Sequence, residues 1–210
     1  MNIQEQINKI LTDEQNQKHK KSGKWSPSLF GCCYRRQYWN RLDEPVTNPP
    51  DERNLRKFKV GLIFEKWVAD IIKPPQYQVR IETPDVLGFA DIVNDESVID
   101  LKTVHSRAFW HMEKEDIKVS RYPNWLQVLW YAWRLQKRCG KLCYISKDDL
   151  TIAEYRQELD DYWLGELGKE LGKLTEIWDS KTLPPADPRA YNGKECEYCQ
   201  WKDKCKKEAK

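Results

Sequence analysis

The chain has 210 residues with a formal net charge of +3, which suits one domain with a substantial core and excludes a uniformly basic nucleic-acid coat protein. No apolar run approaches the roughly 18 residues of a membrane span, and nothing resembles a signal peptide, so we expect a cytoplasmic protein without a membrane partner. The seven cysteines are then in a reducing compartment, where clustered thiols usually bind metal or iron–sulfur groups.

The predicted elements change from helical to strand-like periodicity and back along the chain. Residues 1–24 are predicted to form an amphipathic helix over 3–17 and a basic linker, and residues 25–210 the main domain. In that domain we expect a short helix carrying Cys32 and Cys33, longer helices at 55–72, 123–138 and 160–179, and strands at 77–82, 87–93, 98–102, 142–145 and 152–157. Residues beyond 185 are predicted to be irregular. This order predicts an α/β fold with a mixed central β-sheet flanked by helices.

A basic and aromatic segment lies between Glu14 and Asp43, where no acidic residue occurs. Its cations include Lys18, Lys20, Lys21 and Lys24, and its aromatic residues include Trp25, Phe30 and Trp39. Cations contact phosphates and flat rings stack on unpaired bases, so one interpretation is a single-strand DNA surface that uses Arg35, Arg36 and Tyr38. The alternative is an exposed lysine tail followed by aromatic residues of the core.

Asp100 and Lys102 are two residues apart on a predicted strand, so both side chains leave the same face. Asp91 comes beside them if its strand pairs with theirs as a hairpin. Two carboxylates in one cleft repel each other unless a divalent cation offsets their charge, and oxygen ligands favour Mg²⁺ or Mn²⁺. Such a metal activates water for attack on a phosphodiester, and a neighbouring lysine stabilises the developing charge. Glu65, on the preceding helix, is a candidate third carboxylate.

An Asp-x-Lys pair at a strand end is, by itself, more often a surface salt bridge. The order of the motifs favours a catalytic site instead. Gly61-x3-Glu65 lies on a predicted helix, Gly88-x2-Asp91 and Asp100-x-Lys102 on successive strands, and Gln127-x3-Tyr131 on the next helix. Gln127 and Tyr131 are one turn apart, so they share a face of an otherwise apolar helix.

This series of motifs, over residues 25–205, resembles the RecB-like branch of the PD-(D/E)XK nuclease superfamily. The resemblance implies a restriction-endonuclease-like core. It also implies metal ligands, a catalytic lysine and residues for DNA positioning: Asp91, Asp100 and the carbonyl of Leu101 as ligands, Lys102 as the lysine, and Gln127 and Tyr131 for positioning. Many members of the family have His where this chain has Glu65, which can still bind a hard cation.

Cys196-x2-Cys199-x5-Cys205 offers three thiolates, and the best source of the fourth ligand of a metal site is the pair Cys32-Cys33. We interpret Cys139 and Cys143 as packing residues. The arrangement resembles the iron–sulfur RecB-like nucleases, which include the CRISPR-associated exonucleases of the fourth Cas family and the nuclease domain of AddB. Alignment with their pattern favours Cys33 over Cys32. The resemblance implies a 4Fe–4S cluster that joins the N- and C-terminal segments, with zinc as the rival occupant because four thiolates also satisfy Zn²⁺.

We therefore expect a metal-dependent DNA nuclease, specifically an exonuclease acting on single-stranded or frayed DNA ends. Two settings fit it: CRISPR spacer acquisition with integrase proteins, and phage or bacterial recombination and end processing with a recombination partner. One alternative is a catalytically silent iron–sulfur or zinc DNA-binding protein. Another is an iron–sulfur redox protein, although the sequence shows no flavin or nicotinamide fingerprint.

Overall fold

The structure, a computed structural model, describes residues 2–17, 21–112 and 114–208. These residues contain a mixed β-sheet flanked by helices, as the sequence predicts. Its strands are β1 Gln76–Glu82, β2 Leu87–Val93, β3 Ser97–Val104, β4 Cys139–Ser146 and β5 Ile152–Glu158, in the spatial order β1-β2-β3-β4-β5. Neighbouring strands are antiparallel except β3 and β4, which are parallel. A parallel pair needs a long crossover connection, and here it contains helices.

The helices are α1 Ile3–Asn16, α2 Tyr34–Arg41, α3 Glu52–Ile72, α4 Ser106–Met112, α5 Ile117–Ser120, α6 Tyr122–Arg134, α7 Asp161–Ser180 and α8 Lys202–Glu208. Two 3₁₀ segments, Pro27–Leu29 and Tyr191–Tyr198, accompany them. Side-chain caps begin the three longest helices, because Asn2, Asp51 and Asp160 each accept a hydrogen bond from the backbone N–H three residues later. None of these helices is long and apolar enough to cross a membrane within the described part of the chain.

The core forms around α6, which packs against β3 and β4. Trp125, Leu126, Leu129 and Trp130 of α6 are all at most 2% exposed. The helix approaches β4 so closely that a Cβ atom at Gly140 would lie 2.8 Å from Val128. This close packing fixes the residues of α6 relative to the middle of the sheet.

Four local predictions differ from the structure. The helix predicted over 123–138 ends earlier, at Arg134, and Gln136 has a left-handed backbone with φ 56°. Cys32 and Cys33 are not inside a helix but precede α2, with Cys33 as its N-cap residue. The region beyond 185 is not wholly irregular, since it contains a 3₁₀ segment and α8. The helices α4 and α5 were not predicted.

The helix α3 forms where the sequence predicts it, but its large apolar side chains do not face the core. Phe58 is 57% exposed and Leu62 is 62% exposed, whereas Leu55 is only 8% exposed. Gly61 lies on the face of α3 toward β3. A Cβ atom added there would be 3.6 Å from the Oγ1 atom of Thr103. The other side of α3 packs against α1. The division into residues 1–24 and 25–210 stays a prediction.

Candidate active site

The β2–β3 hairpin brings Asp91, Asp100 and Lys102 together. Asp91 Oδ2 accepts a hydrogen bond of 2.9 Å from the backbone N–H of Leu101. Asp100 is 2% exposed, and its Oδ1 atom accepts a hydrogen bond of 2.7 Å from Lys102 Nζ. Ile92 pairs with Ile99 in the hairpin, which sets Asp91 opposite the segment that carries the other two residues. One cluster therefore contains both aspartates and the lysine.

Glu65 of α3 reaches the same cluster through Gln78 of β1. Gln78 Nε2 donates a hydrogen bond of 3.2 Å to Asp91 Oδ1 and also donates to Glu65 Oε1. The Tyr77 hydroxyl donates a second hydrogen bond, of 3.1 Å, to Glu65. Gln78 has a left-handed backbone with φ 50°, a strain of roughly 1–3 kcal/mol that is typical of functional sites. Sequence reasoning missed Gln78, because no turn motif around it signals a positive φ.

Burial and mutual repulsion control the charges of the cluster. Burial raises the pKa of Asp91 to about 7, and the neighbouring charges of Asp100 and Glu65 add to the rise. Burial also raises the pKa of Asp100. Burial lowers the pKa of Lys102, but the two aspartates outweigh it and hold that pKa above its ordinary value. The lysine therefore stays charged at neutral pH, and the carboxylates still lack sufficient positive charge nearby.

The donor atoms of the cluster fit a hard divalent cation. Asp100 Oδ2 is buried and accepts no hydrogen bond from any described residue, an arrangement that is unfavourable unless a cation or donor satisfies the oxygen. No group of three or more His, Cys, Asp or Glu side chains in residues 2–17, 21–112 and 114–208 is arranged to hold a metal by itself. Mg²⁺ is usually held by one or two carboxylates, with waters and substrate phosphates as the other ligands. Asp91 and Asp100 supply that number.

Tyr131 and Gln127 approach the cluster from α6. A Cβ atom at Gly88 would lie 2.5 Å from the Tyr131 hydroxyl, so glycine is what allows the ring to lie there. Burial raises the pKa of Tyr131, Asp100 and Asp91 add to the rise, and a hydrogen bond with Gln127 opposes it. The tyrosine therefore keeps its proton and can act as a hydrogen-bond donor near the carboxylates.

Four thiols line a separate cavity of about 250 Å³, those of Cys33, Cys196, Cys199 and Cys205. Cys32 lines a different, neighbouring cavity. Burial raises the pKa of Cys196 and Cys199, and the nearby thiols add to both rises. Four thiols in one cavity are a donor set that suits zinc or an iron–sulfur cluster. The described side chains do not already have the geometry of a closed metal centre.

Glu195 connects Cys33 to the C-terminal segment. The side chain is 2% exposed, and its oxygens accept hydrogen bonds of 3.0 and 3.1 Å from the backbone N–H of Cys33. The backbone N–H of Arg189 donates to the same carboxylate at 2.7 Å. Sequence reasoning missed Glu195. Its hydrogen bonds hold Cys33 close to the segment that carries Cys196, Cys199 and Cys205.

The residues predicted for DNA binding lie in different surroundings. Arg35 donates a hydrogen bond of 2.8 Å from Nε to the Pro184 carbonyl and one of 3.5 Å from Nη1 to Cys205 Sγ. The Tyr38 ring lies 6.0 Å from that of Trp178. Arg36 borders both the thiol-lined cavity and its neighbour. Arg35 and Tyr38 therefore take part in internal packing, and Arg36 is half-buried and lies 3.9 Å from the carboxylate of Glu195.

The prediction that the aromatic residues of the basic segment stack on unpaired bases is wrong for three of them. Their rings are at most 3% exposed and belong to the core: Trp25, Phe30 and Trp39. This agrees with the alternative that the sequence left open, in which these aromatic residues belong to the core. Burying a large ring stabilises the folded protein more than leaving it exposed to water does. Lys18 and Lys20 of that segment lie outside the described residues.

No family model matches the chain, and no curated protein matches it in sequence. Solved structures do resemble it. SSO0001 matches with a TM-score of 0.62 and 20% identity over 98% of this chain and 96% of that one. An alkaline exonuclease, LHK-Exo from Laribacter hongkongensis, matches with a TM-score of 0.52 and 14% identity over 76% of this chain and 89% of that one. Its complex with dAMP matches with a TM-score of 0.51. The chain is therefore similar in fold to a known exonuclease.

Proposed function

We propose that the protein is a divalent-metal-dependent deoxyribonuclease that hydrolyses phosphodiester bonds. The observation that carries the proposal is the buried and unpaired Oδ2 atom of Asp100, beside an Asp91 whose pKa is raised to about 7. A structural salt bridge would leave neither the oxygen unsatisfied nor the second carboxylate uncompensated. The fold shared with an alkaline exonuclease supports the same class of reaction.

In the cluster of carboxylates and lysine, the carboxylates would bind the metal and Lys102 would stabilise developing charge. Mg²⁺ or Mn²⁺ would be held by Asp91, Asp100 and the Leu101 carbonyl, with Glu65 close by through Gln78. A bound divalent ion supplies a water of lowered pKa and offsets the charge of the scissile phosphate. Lys102 keeps its proton and offers its ammonium group to the negative charge that develops on that phosphate. Gln127 and Tyr131 would orient the DNA backbone through hydrogen bonds.

The four cysteines that share a cavity would hold a structural 4Fe–4S cluster, with zinc as the alternative occupant. The cavity joins the segment before α2 to the last residues of the chain. Glu65, Asp91 and Asp100 do not line this cavity, so the role that we assign to the iron–sulfur cluster is to hold the two segments together rather than to take part in hydrolysis. Thiols whose pKa is raised release protons when they bind metal, so occupancy would strengthen with rising pH.

The substrate that we propose is single-stranded DNA or a frayed DNA end, attacked as by an exonuclease. CRISPR spacer acquisition beside integrase proteins is one setting for such an enzyme, and phage or bacterial recombination and end processing is the other. Both supply DNA ends with unpaired strands.

The test is digestion of end-labelled single-stranded and double-stranded DNA in Mn²⁺ or in EDTA. Lys102→Met keeps the length of the side chain and removes its charge, so we predict a loss of cleavage rate of about 10²- to 10³-fold. The matched control is Lys66→Met, an exposed lysine on α3 that is paired with Asp70, which should cut at the rate of the unmodified protein. Full cleavage by a pure Lys102→Met preparation would falsify the site. DNA binding without any cleavage by the unmodified protein would favour the silent binding protein instead.

A further inference from the structure

A second cavity, of about 530 Å³, lies between the beginning of α3 and the 3₁₀ segment Tyr191–Tyr198. Three aromatic residues line it: Phe58 is 57% exposed, Tyr191 is 43% exposed and Tyr198 is 74% exposed. Its size falls in the range of roughly 300–1,000 Å³ that ligand sites have. Large rings are normally buried, so three exposed rings around one cavity indicate a surface that a ligand covers.

One face of α3 connects this cavity to the catalytic cluster. Phe58 lines the cavity, Gly61 faces Thr103 of β3, and Glu65 shares the Gln78 side chain with Asp91. Residues three or four positions apart lie on the same face of a helix. The cavity and the carboxylates therefore lie along the same face of α3, on either side of Gly61.

The opposite wall of the cavity also reaches the catalytic cluster. Burial raises the pKa of Tyr191, and the nearby charge of Lys102 opposes the rise. Tyr191 has a left-handed backbone with φ 54°, a strained conformation that concentrates at functional sites. The Tyr191 side chain therefore lies within electrostatic range of Lys102.

The charges around the cavity are mixed. Arg36 and Lys202 contribute cations, and Asp51, Glu195 and Glu197 contribute carboxylates to the same lining. A site for the sugar–phosphate backbone is strongly basic, and this cavity is not. Exposed aromatic rings in a lining of mixed charge suit the flat faces of unpaired bases. The stacking free energy on such rings is similar for every base.

We infer that this cavity is a stacking site for unpaired bases of a single DNA strand next to the scissile phosphate, with Phe58, Tyr191 and Tyr198 as its rings. The inference rests on the proposed nuclease function and specifies its substrate. In a duplex the bases are already paired and stacked on each other, so they cannot enter the cavity. The cavity thus selects DNA strands that are single or unwound at their ends.

The experiment compares the binding of two labelled single strands of equal length by fluorescence anisotropy in EDTA, one with normal bases and one with abasic sites. Phe58→Ala and Tyr198→Ala should each weaken the binding of the normal strand by about 5- to 150-fold, the effect of losing one stacked base. Binding of the abasic strand should not change. Tyr198→Phe should restore the preference for bases, because it retains the ring. Phe58 is on α3, which carries none of the proposed cluster ligands, so its variant leaves all four thiols in place.

Tyr162→Ala is the matched control, since Tyr162 is 62% exposed but does not line the cavity. It should bind both strands as the unmodified protein does. Equal losses of affinity for the normal and abasic strands in the cavity variants, or no loss for either strand, would overturn the inference. An equal loss of affinity for a blunt hairpin duplex would also overturn it. Cleavage of bis(p-nitrophenyl) phosphate, a small diester without a nucleobase, in Mn²⁺ separates the two proposals. It should be unchanged in the cavity variants, and its absence in the unmodified protein would refute the nuclease function and not the stacking site.

Discussion

The protonation of Asp91 depends on whether a cation is bound. With its pKa raised to about 7, it is partly protonated near neutral pH in the metal-free protein. A divalent ion favours the ionised carboxylate and displaces the proton. Metal binding should therefore weaken as the pH falls below 7, even though an isolated aspartate would remain ionised there.

We predict that protonation of Asp91 stabilises the folded, metal-free protein as the pH falls from about 7 toward about 4. The pKa of Asp91 rises from 3.8 to about 7 on folding, so the folded state binds more protons than the unfolded state in this window, and the free energy of unfolding increases as the pH falls. Asp91→Asn lacks the titrating group and should respond less to pH. Urea unfolding in EDTA at about pH 5 and about pH 7 checks this. Identical pH responses of the two proteins would contradict the burial of an uncompensated carboxylate.

Single residues also mark the limit of what the sequence could predict about the site. Asp91, Asp100 and Lys102 could be placed together because strand alternation and a short turn determine their positions. Gly88 could be noticed only as part of a motif. The structural reason for a glycine there is the close approach of the Tyr131 ring, and Tyr131 is on α6, which is distant in the sequence. Gln78 and Tyr191 both have a positive φ without being glycine, and such strain is imposed by tertiary contacts that no local pattern records.

The element whose surroundings differ most from expectation is α3. Its helical periodicity and its Asp51 cap are local properties, so its existence could be predicted. Its orientation could not. The helix turns Gly61 and Glu65 toward the sheet, where the glutamate joins the candidate site. Several of its large apolar residues, Phe58 and Leu62 among them, are left exposed.

We predict that two leucines of α3 differ sharply in their contribution to stability. Leu55 is 8% exposed and Leu62 is 62% exposed. Leu55→Ala should lower the free energy of unfolding by about 2–5 kcal/mol, because it leaves a cavity. Leu62→Ala should change it by no more than about 0.5 kcal/mol, as is usual for surface positions. Urea unfolding of both variants measures the difference, and equal losses would show that α3 is rotated relative to the orientation described above.

Two of the unpredicted elements are the short helices of the β3–β4 crossover. The helix α5 spans only Ile117–Ser120 and α4 only Ser106–Met112, too short for a repeating apolar pattern. They form because the crossover must return to the sheet through α6, which is a tertiary requirement. The five strands, by contrast, could be located from alternation and turns, and each lies within a few residues of its predicted position.

In the whole molecule, buried glutamates tie the two ends of the main domain together. Glu170 of α7 is 4% exposed and accepts hydrogen bonds of 3.0 Å from the Gly31 backbone and from Gln37 Nε2. Arg189 donates to the same carboxylate at 3.2 Å. These contacts, with those of Glu195, bring the segment before α2 to the C-terminal cysteines. Cys-x2-Cys spacing predicted such a junction, but the glutamates that build it carry no sequence signal.

The neighbouring cysteines at the start of α2 should differ in metal binding. We predict that Cys33→Ala loses most of the iron of the anaerobically purified protein and its broad visible absorption, because Cys33 lines the cavity of the other three thiols. Cys32→Ala is the matched control, since Cys32 lines a different cavity, and it should keep both. Metal analysis and an absorption spectrum of the same samples are the measurements. Full iron content in Cys33→Ala would exclude the proposed ligand set, and a colourless, zinc-containing unmodified protein would replace the cluster with zinc.

Calorimetric titration with Mn²⁺ tests most directly whether the carboxylates at the β2–β3 hairpin form one divalent-metal site. The unmodified protein should bind Mn²⁺ saturably and release protons as it does so, and Asp100→Asn should abolish this binding, because the unpaired oxygen of Asp100 is replaced by an amide that is a poorer ligand for a hard cation. Unchanged Mn²⁺ binding by a folded Asp100→Asn protein would contradict the site on which the proposed function depends.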